Sequence, residues 1–224
     1  MTETKQILKF KLSPSSISLM FECERCFWLS KHKVWSRPES PFPQLPNGMD
    51  RVLKVHFDSF RDKGELPPEI REHQHTRNLK LFDDEELLKV WRSNLKGIRY
   101  EDSEGNILFG AVDNILTSGK KLIVLDYKTK GFPVKDENEA GSYYQNQLDF
   151  YNFLLRKNGY ETEDYAFLLF YYPDRVLETG EVVFNTLLSR REVNIENAEK
   201  LFTKAIKLLE GECPSKTCEW CNGR

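Results

Sequence analysis

Apolar positions along this 224-residue chain change their spacing near residue 95. Before that point they recur at helical intervals, broken by charged and proline-rich stretches. After it they gather into short β-rich runs, and then helix-like and strand-like segments alternate.

Ser13-Pro14 followed by Ile17, Met20 and Phe21 predicts an N-capped helix with proline in its first position. Residues Arg37 to Gly48, with Pro38, Pro41, Pro43 and Pro46, predict an extended connector. A helix is expected from about Asp50 to Arg61 and a charged one from about Asp83 to Leu95, with Gly64 to Thr76 as loop between them. Ile98 to Glu101, Ile107 to Thr117 and Lys121 to Thr129 read as strands of an antiparallel meander. Turns at Asp102-Ser103-Glu104-Gly105 and Ser118-Gly119 divide them. Ser142 to Lys157 has helical periodicity. Asp164 to Tyr172 is continuously apolar after its first residues, as a buried central strand would be, and Glu181 to Leu188 adds another strand. A last amphipathic helix begins at Asn194, with Ile195, Ala198, Leu201, Phe202, Ala205 and Leu208 on one side, and ends at Gly211.

The order predicts an α/β fold, a mixed sheet flanked by helices in a single domain. Residues 1–95 form its helical N-terminal part, 96–190 its core, and 191–224 a helix with a cysteine cluster.

Composition adds little to that picture. Hydrophobic residues are 39% and charged residues 30%, an ordinary globular balance. The longest apolar run, Ala166 to Tyr172, is too short to cross a bilayer, and Met1 to Lys11 lacks the apolar stretch of a signal peptide. A cytoplasmic protein with no membrane partner is therefore expected. A net charge of −2 argues against a protein that coats nucleic acid, although Met1 to Arg37 is locally basic. It leaves room for an enzyme whose carboxylates offset basic patches.

The candidate chemistry lies in the middle strands. Asp113, in Gly110-Ala111-Val112-Asp113, is expected within one strand, and Asp126-Tyr127-Lys128 follows on the next. Asp126 and Lys128, two residues apart, would share a face, and a hairpin would bring Asp113 beside Asp126. Two carboxylates make an oxygen-rich site for Mg²⁺ or Mn²⁺, and an adjacent ammonium can orient a water or offset phosphate charge. Read alone, an Asp-x-Lys pair is more often a surface ion pair. On the following helix Tyr144, Gln147 and Tyr151 form one stripe, which is either a half-buried packing face or a set of hydrogen-bonding groups aimed at the site.

Five cysteines in a chain of this kind point to metal rather than disulfides. Cys23-x-x-Cys26 and Cys218-x-x-Cys221 have ligand spacing, and two such pairs predict a four-thiolate centre with Cys213 as the alternate ligand. Four thiolates hold either Zn²⁺ or an iron–sulfur cluster.

Gly110-x-x-Asp113, Asp126-Tyr127-Lys128 and Gln147-x-x-x-Tyr151, in this order, resemble the RecB-like pattern of the PD-(D/E)XK nuclease superfamily. The stretch from Ser15 to Leu29 is similar to the opening helix of such proteins, among them CRISPR-associated RecB-like exonucleases and AddB-type nuclease domains. The resemblance implies a restriction-endonuclease-like core and a DNA exonuclease acting on single-stranded or frayed ends. It implies Asp113, Asp126 and the Tyr127 carbonyl as metal ligands, with Lys128 as the catalytic lysine. Gln147 and Tyr151 would position that lysine or the phosphate, Tyr144 would meet substrate, and His56 would be a further metal ligand. A [4Fe–4S] cluster joining the termini is implied as well, in relatives held by one N-terminal and three C-terminal cysteines. Unwinding would need a helicase or a larger DNA-processing complex. Two rival readings are a catalytically weak nucleic-acid-binding module and a zinc-stapled interaction protein.

Overall fold

The computed structural model describes residues 9–38, 44–136 and 141–223. It is a mixed α/β structure with two sheets. The smaller sheet orders β1 (Lys11–Leu12), β4 (Ile107–Gly110) and β3 (Ile98–Glu101), and β1 runs parallel to β4. The larger sheet orders β2 (Lys80–Leu81), β5 (Asn114–Ser118), β6 (Lys121–Thr129), β7 (Tyr165–Val176) and β8 (Val182–Glu192). Only the β6–β7 pair of this sheet is parallel. Seven helices are described: α1 (Pro14–Glu22), α2 (Glu24–Lys31), α3 (Gln44–Arg61), α4 (Pro68–Arg71), α5 (Glu85–Trp91), α6 (Gln145–Lys157) and α7 (Ile195–Glu210). Among the described residues no helix is long and apolar enough to cross a membrane.

The period of two in β6 and β7 builds two cores at once. Leu122, Val124, Ala166, Leu168 and Phe170 pack on one side of the sheet with α6, α7 and α1. Ile123, Leu125, Tyr127, Phe167, Leu169 and Tyr171 pack on the other with Leu53 and Phe57 of α3 and Ile70 of α4. Helix α6 is enclosed by both sheets and α7, and every residue from Leu148 to Leu155 is buried. Its buried Asp149 accepts hydrogen bonds from Gln145, the Asn194 N–H and Asn197, which ties α6 to the start of α7.

Local signals explain most boundaries. Ser13 and Ser16 form a capping box at the start of α1, behind Pro14. Cys23 ends α1 and caps α2 with its own sulfur. Three expectations need correction. The stretch Ile107 to Thr117 is not one strand: it breaks at Ala111 to Asp113, so its first half joins the small sheet and its second half the large one. The three-strand meander is therefore two hairpins in two sheets. Residues from Gln44 belong to α3 rather than to an extended connector, with Pro46 in a first turn whose N–H groups have no partner inside the helix; residues 39–43 lie outside the described residues. Within the expected loop Gly64 to Thr76 stands the short helix α4. The break at Asp113 matters most, because it takes that residue out of a strand.

Candidate active site and cysteine centre

Asp126 and Lys128 continue the face of β6 that Leu122 and Val124 begin, so both point under α6. Asp126 is 1% exposed, and the Lys128 ammonium contacts its carboxylate. Lys128 Nζ also donates to Gln147 Oε1 at 3.0 Å, and Gln147 Nε2 donates to the Tyr151 hydroxyl at 2.7 Å. The Tyr144 ring lies under Lys128, whose Nζ is 4.6 Å from its centroid, and under Lys130 at 5.2 Å. Burial alone would lower the Lys128 pKa; Asp126 and Asp113 beside it outweigh that and hold it above its ordinary value. It is an ammonium at neutral pH.

Asp113 sits in the bend between the sheets, where β5 carries it alongside β6. Its Oδ2 accepts the Tyr127 N–H at 2.9 Å, and its backbone oxygen accepts Arg92 Nε at 2.8 Å. Arg92 is itself held by both oxygens of Asp58 at 2.8 and 2.9 Å. Next to it, Asn114 Oδ1 accepts from Arg61 and Asn114 Nδ2 donates to the Tyr127 hydroxyl, on the opposite face from Lys128. Burial, and then the Asp126 charge, push the Asp113 carboxyl above the ordinary carboxylate range, against the pull of Lys54 and Lys128. Gly110 has a packing reason to be glycine: a Cβ there would lie 2.8 Å from the Tyr151 ring.

One acidic residue at this site escaped the sequence reading. Lys54 Nζ bridges Asp50 Oδ2 at 2.8 Å and Asp113 Oδ1 at 3.3 Å, so α3 brings Asp50 to the same place. In sequence, Asp50 and Lys54 look like an ordinary i,i+4 surface pair. His56 goes elsewhere. Its Nε2 contacts Glu69 at 3.0 Å, and Glu69 also accepts the Tyr171 hydroxyl at 2.6 Å. Six residues are about 240° around a helix, so α3 cannot turn Asp50 and His56 to one point. The structure thus sets Asp50 beside Asp113, bridged by Lys54, and pairs His56 with Glu69.

Carboxylate oxygens are the donors that a hard divalent cation takes. Asp50, Asp113 and Asp126 supply carboxylate oxygens. Asp126 Oδ2 is buried with no hydrogen bond reaching it, although the Lys128 ammonium touches it. A lysine already bridges two of the acids, so the site draws positive charge as built.

The second cluster joins the two ends of the chain. The sulfurs of Cys23, Cys26, Cys218 and Cys221 all lie within 4.8 Å of one another, a group able to hold a metal ion. Cys23 and Cys221 are 198 residues apart. Cys213 stands outside the group, and its sulfur accepts from Arg25 Nη1 at 3.2 Å. Leu19, Trp28, Leu29 and Trp35 pack around the centre.

No curated protein matches the chain. Among solved structures it resembles one titled "Crystal structure of SSO0001", with 14% identity over 95% of this chain and 82% of that one, at a TM-score of 0.42. The model of the PD-(D/E)XK nuclease superfamily matches residues 11–224. With the match running through both acid-bearing segments and the helix above them, this chain belongs to the PD-(D/E)XK nuclease superfamily, on a restriction-endonuclease-like fold.

Proposed function

We propose that the protein is a Mg²⁺- or Mn²⁺-dependent deoxyribonuclease, an exonuclease that hydrolyses phosphodiester bonds at single-stranded or frayed DNA ends. The observation that supports this reading is that Asp113 accepts the Tyr127 N–H while Asp126, one residue before it, contacts the Lys128 ammonium, near enough that the three charges act on one another. A divalent cation held by Asp50, Asp113 and Asp126, with the Tyr127 carbonyl as a further oxygen, would polarise the phosphate and lower the pKa of a bound water.

The chain's own groups do the rest. Lys128, kept charged, orients the attacking water and offsets the charge that grows on the phosphate. Gln147 and Tyr151 hold Lys128 on the acid side of its range of motion. Arg92 fixes the backbone at Asp113 and so its carboxylate's direction. Tyr144 and Lys130 offer a ring and a cation to the strand leaving the site. Beyond them is a hollow of about 600 Å³ lined by Lys130, Phe132, Pro133, Val134, Lys135, Asp136 and Tyr143. Phe132 and Tyr143 are 70% and 76% exposed there, as base-stacking rings beside lysines would be. Such a surface favours unpaired bases over a closed duplex. Unwinding would be the task of a partner helicase or a larger DNA-processing complex.

The test is cleavage of end-labelled single- and double-stranded DNA, and of RNA, with Mg²⁺, with Mn²⁺ and with neither. Wild type should cut single-stranded DNA only with a divalent ion, and Lys128→Ala should lose most of that rate. Equal rates in both proteins would sink the catalytic reading. DNA binding without cleavage by either would favour the binding-module alternative.

A further inference from the structure

We infer that the four clustered cysteines hold a single Zn²⁺ ion as a structural tetrathiolate centre, rather than the four-iron cluster that the family resemblance implies. The sulfur positions carry the inference. A tetrahedral ion with zinc–sulfur bonds of about 2.3 Å sets neighbouring sulfurs about 3.8 Å apart. Here Cys23 and Cys221 are separated by 3.8 Å, Cys218 and Cys221 by 3.7 Å, and Cys26 and Cys218 by 3.5 Å. A four-iron cluster instead attaches each cysteine sulfur to a different iron, with the inorganic core lying between them. Thiolates in van der Waals contact leave no volume for that core.

The surroundings agree with one ion and four thiolates. Each Cys-x-x-Cys pair forms a tight knuckle with a backbone N–H turned toward sulfur. Cys26 N donates to Cys23 Sγ at 3.5 Å, and Cys218 N donates to Cys221 Sγ at 3.3 Å. Four thiolates around Zn²⁺ leave two net negative charges. Arg37 Nη2 lies 3.8 Å from Cys218 Sγ and offsets part of them, with its guanidinium over the Trp220 ring. Such paired knuckles need two cysteines from each end of the chain.

The choice of cysteines separates the two centres further. One N-terminal and three C-terminal ligands would recruit Cys213 and leave Cys26 aside. In the structure Cys26 is 1% exposed and in the cluster, while Cys213 is outside it and occupied by Arg25. With all four positions filled by protein, the ion has no open site for substrate and acts as a fastener.

The test is independent of nuclease activity. The full chain would be purified without oxygen from cells supplied with both iron and zinc, then analysed for metals, acid-labile sulfide and absorption. Expected are stoichiometric zinc, no sulfide, and no band near ~400 nm. After exchange with Co²⁺, wild type should show the visible bands of tetrahedral cobalt–thiolate. Cys213→Ser should keep its zinc and its cobalt spectrum, whereas Cys26→Ser should lose both. Iron with matching sulfide and a brown band overturns the inference. So does loss of metal in Cys213→Ser with retention in Cys26→Ser. Because the cobalt spectrum is read on wild type, a Cys26→Ser protein that fails to fold does not protect the idea.

Discussion

Lys128 Nζ donates to Gln147 Oε1 at 3.0 Å, and this contact sets the lysine against Asp126 instead of letting it swing toward solvent. In the proposed mechanism Gln147 is a positioning residue. Gln147→Leu keeps the helix and removes the acceptor. Single-turnover cleavage of labelled DNA should slow by roughly 10- to 100-fold, with substrate affinity little changed, because misplacing a reacting group costs rate before binding. A wild-type rate in Gln147→Leu would remove the residue from the mechanism.

Gly110 and the Tyr151 ring are too close for a methyl group between them. Gly110→Ala should destabilise the protein by about 1–3 kcal/mol in urea unfolding, the usual cost of overfilling a packed site. Tyr151→Phe keeps the ring and removes the hydroxyl that Gln147 donates to, so stability should hold while the cleavage rate falls. Unfolding midpoints and rates measured on both variants separate the packing role from the hydrogen-bonding one.

Asp50 and His56 make opposite predictions about metal. Asp50→Asn should raise the Mn²⁺ concentration needed for half-maximal cleavage by about 10-fold or more, because a carboxylate is lost from the ion's surroundings. His56→Ala should leave that concentration unchanged and lower the melting temperature, since Glu69 then keeps Tyr171 but loses its contact with the imidazole. A metal requirement that moves with His56 and not with Asp50 would restore the histidine as ligand.

The Asp113 carboxyl is pushed up by burial and by Asp126. A folded-state pKa above the unfolded one gives stability that is complete below the unfolded value and is lost as pH rises through the folded value. At neutral pH an ionised Asp113 is therefore a cost to the metal-free fold. Asp113→Asn, measured without divalent ions, should melt above wild type at pH 7, and the gap should shrink as pH falls toward 4. A lower melting temperature at pH 7 would contradict the electrostatic account.

Phe132 and Tyr143 should matter only to unpaired bases. Replacing both by alanine is expected to weaken single-stranded DNA binding by about 1–3 kcal/mol for each stacked base lost. Duplex binding should hardly change. A titration with fluorescent single- and double-stranded oligonucleotides in catalysis-deficient Lys128→Ala background reads this directly.

How much of this was legible in the sequence depended on whether local spacing decided the matter. Alternation in β6 fixed Asp126 and Lys128 on one face and Tyr127 on the other, which the two cores bear out. Two Cys-x-x-Cys pairs with none between them marked the four residues that cluster. What local spacing could not reveal was where the chain changes sheet. From Ile107 to Leu116 only Asp113-Asn114 interrupts an otherwise apolar run, and that the chain changes sheet there follows from where each half finds a hydrogen-bonding partner. Strands β1 and β2 are two residues each, too short for any periodicity. Asp50 and Arg92 look like solvent charges until α3 and the end of α5 are set against the bend.

The route from the cysteine clamp to the acids is short. Cys23 and Cys26 lie at the junction and start of two helices that follow directly from β1, and β1 is zipped in parallel to β4. Strand β4 ends three residues before Asp113. A metal ion held by the four thiolates would thus steady the strand that leads to Asp113, so slack introduced at the thiolates would be felt as blurred aim at the far end of that strand.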